Sequence, residues 1–364
     1  MRWPWSRRRS DEWLLVSMAD NTFAFVRAGL RSDGLFEVRQ MGVEPLGEGG
    51  AAALTSRLHE LGLKGLNVRA MLRPSQYQFL QIDAPAVAPE ELRSAARYQI
   101  RDMLDVHVDD ITLDVMRVGD GKQKGTQHLF VVAATNAVMR GLIDLGDQMQ
   151  WQMPVIDIQE TAQRNLQSAL AKQEGQLPRA DAALVLVDPR QALLTISANE
   201  ELFYTRRLEV PEGFLQGPFG SLAGDGAGVA TSAYVPVADY VPDYNVGGVA
   251  YGSDYSDPKS LSRATATDQP ADHDRAQRFL VEVQRSLDLW DRTWSSMPLG
   301  RVRVYAGARS DELAQWLTRE IGQPVVPMDV NALFAGLAEL QGGSDLGLCW
   351  PLLGLALRAD GRNL

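Results

Sequence analysis

The chain has 364 residues, 45% of them hydrophobic and 23% charged, and a formal net charge of −10 at pH 7. That balance excludes a disordered chain and argues against a nucleic-acid surface over most of the molecule, because phosphates reward clustered Lys and Arg. A single cysteine, Cys349, excludes an intramolecular disulfide framework and a cysteine-ligated zinc site, and makes a reducing compartment the simplest home.

No run approaches the roughly 18 apolar residues of a membrane-spanning helix. The start, residues 1–13, is basic but meets Asp11 and Glu12 in place of an apolar stretch, so it is not read as a secretory signal. Trp3, Trp5, Arg7, Arg8 and Arg9 form an aromatic and basic tip. Such a tip suits either a contact with anionic lipid on the inner face of a membrane or a solvated terminus whose tryptophans pack on the domain.

From Trp13 the pattern becomes regular. Leu14 to Val16 and Phe23 to Val26 read as a hairpin, Leu35 to Val38 as a third strand, a helix follows with Leu54, Leu58 and Leu61 on one face, and Asn67 to Leu72 is a strand. A second unit opens with a strand carrying Tyr77, Phe79 and Ile82. Pro89, Glu90 and Glu91 then start a helix whose expected face is Leu92, Ala96, Ile100 and Met103. Strands at Ile111 to Val115 and Leu129 to Ala134, a helix over 137–149, a strand at 155–158 and a helix over 161–172 complete this half.

The second half repeats the opening, with strands at Ala183 to Val187, Leu193 to Ile196 and Leu202 to Thr205. Periodicity is lost over about 211–273, which reads as a flexible insertion. A long helix from Asp274 to about Trp294 carries Phe279, Val283, Leu287, Trp290 and Trp294 at helical spacing. A strand at 302–305, a helix from Asp311, a strand at 325–326 and helices over 332–340 and 352–358 close the chain. Helices alternating with strands indicate an α/β architecture.

Most candidate chemistry is absent. His59, His107, His128 and His273 share no metal-ligand spacing. The acids around His107 (Asp102, Asp105, Asp109 and Asp110) read as a solvated helix end, so no metal is expected. Cys349, beside Trp350 and Pro351, reads as a buried inert thiol. The glycines at 47, 49 and 50 lack a following Gly-Lys-Ser/Thr, and Glu48 would repel phosphate. The glycine-rich run 224–228 precedes no helix, whereas Gly307 lies between a strand and a helix.

Two hairpin starts with a late strand–Gly–helix resemble the actin-like ATPase fold, and within it the PilM/MshI family of type IV and mannose-sensitive haemagglutinin pilus biogenesis. The residues that carry the resemblance run in family order: Leu72-Arg73-Pro74-Ser75, Ile82-Asp83-Ala84-Pro85, Glu90-Glu91-Leu92, residues 109–114 and 131–134, Leu202-Phe203-Tyr204-Thr205-Arg206, residues 282–288, and Gly354-Leu355-Ala356-Leu357-Arg358. The resemblance implies a two-lobed, ribonuclease H-like α/β fold. Lobe 1 would span 13–178 with an inserted small subdomain over about 76–149, and lobe 2 would span 179–364, with a last helix, about 352–358, that could return to lobe 1.

In this superfamily two Asp-x-Gly hairpin turns grip the phosphates of ATP, and a late glycine turn faces the adenosine. Here Ser17 stands at the first acid and Ala19 at its glycine; Asp188 is retained but Arg190 replaces the second glycine, and Gly307 remains. Arg190 is either a plug in the vacated phosphate position that holds the lobes together or a side chain in solvent. The expectation is a non-catalytic cytoplasmic scaffold, peripheral to the inner membrane, with no cofactor. The resemblance implies that a groove beside the inserted subdomain takes the N-terminal peptide of a PilN-like bitopic membrane protein, with Tyr77, Phe79, Leu92, Tyr98 and Met103 as its candidate lining. The alternatives are an active ATPase of the same machinery, using Mg·ATP, or the cytoplasmic scaffold of type II secretion.

Overall fold

The computed structural model describes residues 12–19, 21–120, 127–176, 179–217, 219, 270–340 and 347–359. Trp3, Trp5, Arg7, Arg8 and Arg9 lie outside the described residues, as do 220–269 of the expected insertion.

In the first lobe, β1 (Glu12–Ala19), β2 (Thr22–Leu30) and β3 (Phe36–Pro45) form an antiparallel meander. β4 (Asn67–Leu72) joins β1 in parallel, and β8 (Gln152–Ile158) joins β4. Leu14, Leu15 and Val16 are all fully buried because both faces of the sheet are covered. On one face Leu14, Val16 and Phe23 pack with Leu54 and Leu58 of α1 (Gly50–Glu60) and Leu142 and Leu145 of α3 (Asn136–Gln148). On the other, Leu15 and Val26 pack with Leu166 of α4 (Gln159–Gln173) and with Cys349, Trp350 and Leu353 near the C-terminus.

The inserted subdomain is a three-stranded sheet, ordered β5 (Tyr77–Asp83), β7 (His128–Thr135), β6 (Ile111–Arg117), with α2 (Leu92–Gln99) across it. α2 ends sooner than its apolar spacing implies. Residues 101–103 form a tighter 3-10 turn, which takes Met103 off the buried face and leaves it 49% exposed.

In the second lobe β9 (Ala180–Val185), β10 (Gln191–Ala198) and β11 (Glu201–Glu209) repeat the meander, and β12 (Leu299–Tyr305) and β13 (Val325–Pro327) extend it in parallel. Phe279, Val283, Leu287 and Trp290 of α5 (Pro270–Thr293) and Leu313 and Leu317 of α6 (Ser310–Ile321) fill its core.

The expected helix over 332–340 is corrected. Phe334 and Ala335 form a short strand, β14, paired in parallel with Phe36 and Glu37 of the first lobe, and only Leu337–Leu340 (α7) is helical. Gly336, at φ +76°, makes the turn between them, and a side chain there would meet Val38 O at 2.8 Å. α8 (Leu353–Ala356) then lies across α4, β1 and β4. The crossing requires a glycine: a Cβ at Gly354 would stand 2.8 Å from Ala162 Cα and closer still to its carbonyl. Arg69 of β4, stacked 4.3 Å above the Trp13 ring, donates Nη1 to Leu355 O at 2.7 Å and so satisfies an end carbonyl of α8.

Candidate functional site

Three turns stand at the positions where the resemblance expects contacts with a nucleotide, one after β1, one after β9 and one after β12. At the β1–β2 turn Ser17 is fully buried and Ala19 nearly so. Arg73, at the end of β4, donates Nε to Ser17 Oγ at 3.2 Å and Nη1 to Thr22 Oγ1 at 3.0 Å. Thr22 in turn donates to Ala19 O at 2.9 Å. Gln76 fastens the other side, accepting from Arg73 N at 2.9 Å and donating to Met18 O at 2.8 Å. A buried guanidinium thus lies against the buried Ser17 hydroxyl, at the position where the resemblance expects a carboxylate. Its positive charge would oppose a divalent cation held at this turn.

The β9–β10 turn is built differently. Asp188 accepts the backbone N–H of Arg190 at 2.7 Å, which spends its carboxylate on closing its own turn. Asp188, Pro189 and Arg190 are all exposed. Arg190 is exposed and its guanidinium makes no hydrogen bond or ion pair among the described residues; the cation buried at one of these turns is Arg73. Gly307, at φ +58°, faces open space, with nothing within 4 Å of the position a Cβ would take. Ser310 ties that turn by accepting from Ala306 N at 2.9 Å and donating to Gly307 O at 2.7 Å.

The five residues expected to line one groove are dispersed. Leu92 is in the subdomain core, and Phe79 packs at a tilt against Phe130, ring centroids 4.9 Å apart. Tyr98 and Met103 stand exposed on the α2 side. Tyr77 belongs to the seam between the lobes. Its hydroxyl donates to the fully buried Glu160 of α4, and Arg207 of β11 reaches both the other oxygen of Glu160 at 3.2 Å and Pro74 O at 2.8 Å. The same guanidinium lies 4.7 Å above the Tyr77 ring. Burial and the Glu160 charge together push the Tyr77 phenol well above its ordinary range. Farther along α4, Gln163 donates to Ala183 O at 2.8 Å and Gln167 to Asp181 O at 2.7 Å. The inserted subdomain is also held to lobe 2, by Val118 and Phe130 against Leu202 and by Gly119 N donating to Leu202 O at 2.7 Å.

A groove of about 750 Å³ opens between the inserted subdomain and the first lobe. Its walls are Asp114 to Arg117 of β6, Ile156 to Ile158 of β8 and Thr161 and Arg164 of α4; Glu200 to Leu202 of the β10–β11 turn and Leu357 to Ala359 close its ends. Both β6 and β8 are edge strands of their sheets. Each presents an aspartate paired with an arginine: Asp114 with Arg93 at 2.8 Å, and Asp157 with Arg358. Sequence reading expected a groove beside the inserted subdomain but with a different lining, and it missed Arg73, Glu160 and Arg207. The signal present was the position of Arg73 inside a family stretch and of Arg207 beside another, without a pattern that revealed their burial. Among the described residues no group of three His, Cys, Asp or Glu side chains is placed to hold a metal ion. Among the same residues no helix is long and apolar enough to cross a membrane.

Two lobes with repeated meanders, crossing helices between them and a small subdomain inserted in the first define the actin-like class of fold. Solved structures agree. The chain is similar to a PilM–PilN type IV pilus biogenesis complex, with a TM-score of 0.62 and 14% identity over 96% of this chain and 100% of that one. Weaker likenesses include a Bacteroides thetaiotaomicron protein with an actin-like ATPase fold (TM-score 0.46, 10% identity, 93% of this chain and 98% of that one). They also include the cytoplasmic domain of EpsL, an inner-membrane component of the type II secretion system of Vibrio cholerae (TM-score 0.39, 16% identity, 55% and 71%). No family model and no curated protein sequence matches the chain.

Proposed function

We propose that the chain is a non-catalytic scaffold of a type IV pilus assembly platform, of the PilM/MshI kind. In this reading it stands at the cytoplasmic face of the inner membrane and holds the cytoplasmic N-terminal peptide of a PilN-like bitopic protein in the groove between β6 and β8. The observation that carries the reading is the pairing of a β1–β2 turn occupied by Arg73 with an open groove beside the inserted subdomain. The full-length likeness to a PilM solved with PilN supports it. Strand edges on both walls suit an extended peptide, since main-chain hydrogen bonds supply affinity and side-chain pockets supply choice.

Two measurements test the proposal. The purified chain is expected to retain a synthetic peptide of the PilN-like partner's N-terminus, and to lose it when Arg117 and Ile156 are replaced by bulky acidic residues while the fold persists. Isothermal titration with Mg·ATP is expected to give no heat of binding. Micromolar affinity would instead support the ATPase reading, which the retained Asp188 and Gly307 favour.

A further inference from the structure

The hydrogen-bond pattern of β6 shows which of its backbone groups face the groove. Val118 N donates to His128 O at 3.1 Å. The β6–β7 register continues from that pair through Met116↔Phe130, Asp114↔Val132 and Thr112↔Ala134. Because antiparallel pairs alternate, these even-numbered residues spend their N–H and C=O groups on β7, and the odd-numbered ones point outward. The outward row is occupied at both ends. Ile111 O accepts from Arg97 Nη2 at 3.3 Å, and Gly119 N is the donor already tied to Leu202 of lobe 2.

Between those ends no other strand among the described residues pairs with the edge at Leu113, Val115 and Arg117, three outward-facing positions. One donor there is covered by the chain itself. Asp114 folds back so that its Oδ1 accepts the N–H of Val115 at 3.0 Å, while Arg93 holds the same oxygen at 2.8 Å. Asp114 and Arg93 are both largely in solvent, 69% and 61% exposed, so the cover is shallow and displaceable. An edge with its ends closed and no strand paired with its middle among the described residues is complementary to a short extended main chain, and the groove beside it has room for one.

We propose that the partner's peptide adds to the inserted subdomain as a fourth strand on β6, and that Asp114 is a latch that occupies the Val115 N–H until the peptide displaces it. The inference rests on the groove reading above. On binding, a peptide carbonyl takes the Val115 N–H, and Asp114 swings away still paired with Arg93.

The test measures amide exchange at single residues in the full chain, with and without the partner's N-terminal peptide, together with peptide affinity for Asp114→Ala. Protection should rise at least tenfold at Val115 and Arg117 and stay unchanged at Met116, whose N–H already serves β7. Asp114→Ala should bind three- to tenfold more tightly, because the donor is no longer taken. Peptide binding without new protection at Val115 and Arg117, or with unchanged affinity in Asp114→Ala, overturns strand addition and leaves the partner reading standing. No binding to either protein overturns both. Protection at Val115 that rises with protein concentration alone would assign the edge to a second copy of the chain and overturn the latch.

Discussion

At the seam between the lobes Glu160 is 1% exposed and shared by Tyr77 and Arg207, whereas at the groove Asp114 is 69% exposed and its partner Arg93 is mostly in water. Both are carboxylates bonded to arginines, yet the physics separates them. A buried ion pair is weak evidence of net stabilisation, but removing one member strands an unpaired charge. An exposed pair contributes little and gives way easily. The seam therefore fixes how the lobes sit, and the groove keeps groups that another chain can recruit. The turns after β1 and β9 divide along the same line, Arg73 being buried against Ser17 and Arg190 exposed beside Asp188.

That division predicts a graded series, and each variant sharpens or breaks it. Gly354→Ala stands at the severe end, about 3 kcal/mol or more, because α8 must lift off α4; the denaturant midpoint reads it. Glu160→Ala should cost about 3–5 kcal/mol, leaving the Arg207 guanidinium and the Tyr77 hydroxyl without their shared acceptor. A loss under about 1 kcal/mol would mean that the seam is not where the lobes are held. Arg73→Met should cost about 1–3 kcal/mol through the lost bonds to Ser17 and Thr22. Asp188→Ala and Arg190→Ala should each stay within about 0.5 kcal/mol of the parent, since both side chains are exposed.

Cys349 supplies a probe of the same contrast. Burial pushes its thiol up to about 11, so roughly a thousandth is thiolate at pH 8, and no solvent reaches it. Labelling by a thiol-reactive disulfide should be slow in the native protein and fast after unfolding. It should accelerate in Glu160→Ala only if the seam opens.

Much of the architecture was legible before the structure. Leu14 to Val16 against Phe23 to Val26, and Leu193 to Ile196 against Leu202 to Thr205, carry enough local apolar pattern to announce two meanders. The stripe from Phe279 to Trp290 announced α5 as plainly. Where reading failed, a distant partner decided. Phe334 and Ala335 look helical by composition and pair instead with Phe36 and Glu37, nearly three hundred residues away. Tyr77 looked like a groove residue because an aromatic on a strand reads the same whether it meets a peptide or a buried glutamate.

The sequence by itself determined the repeated strand–strand–strand beginnings and the identity of the turn residues, a serine at 17, an alanine at 19 and an arginine at 190, because these depend on residue identity and short-range periodicity. Only the tertiary structure decided that Arg73, and not Arg190, is the cation buried at one of these turns, and that Glu160 joins two lobes. It alone also decided that the middle of β6 faces outward with Asp114 folded over it. Those outcomes depend on which surfaces are withdrawn from water and which backbone groups are left over, and neither is fixed until strands far apart in the chain have paired.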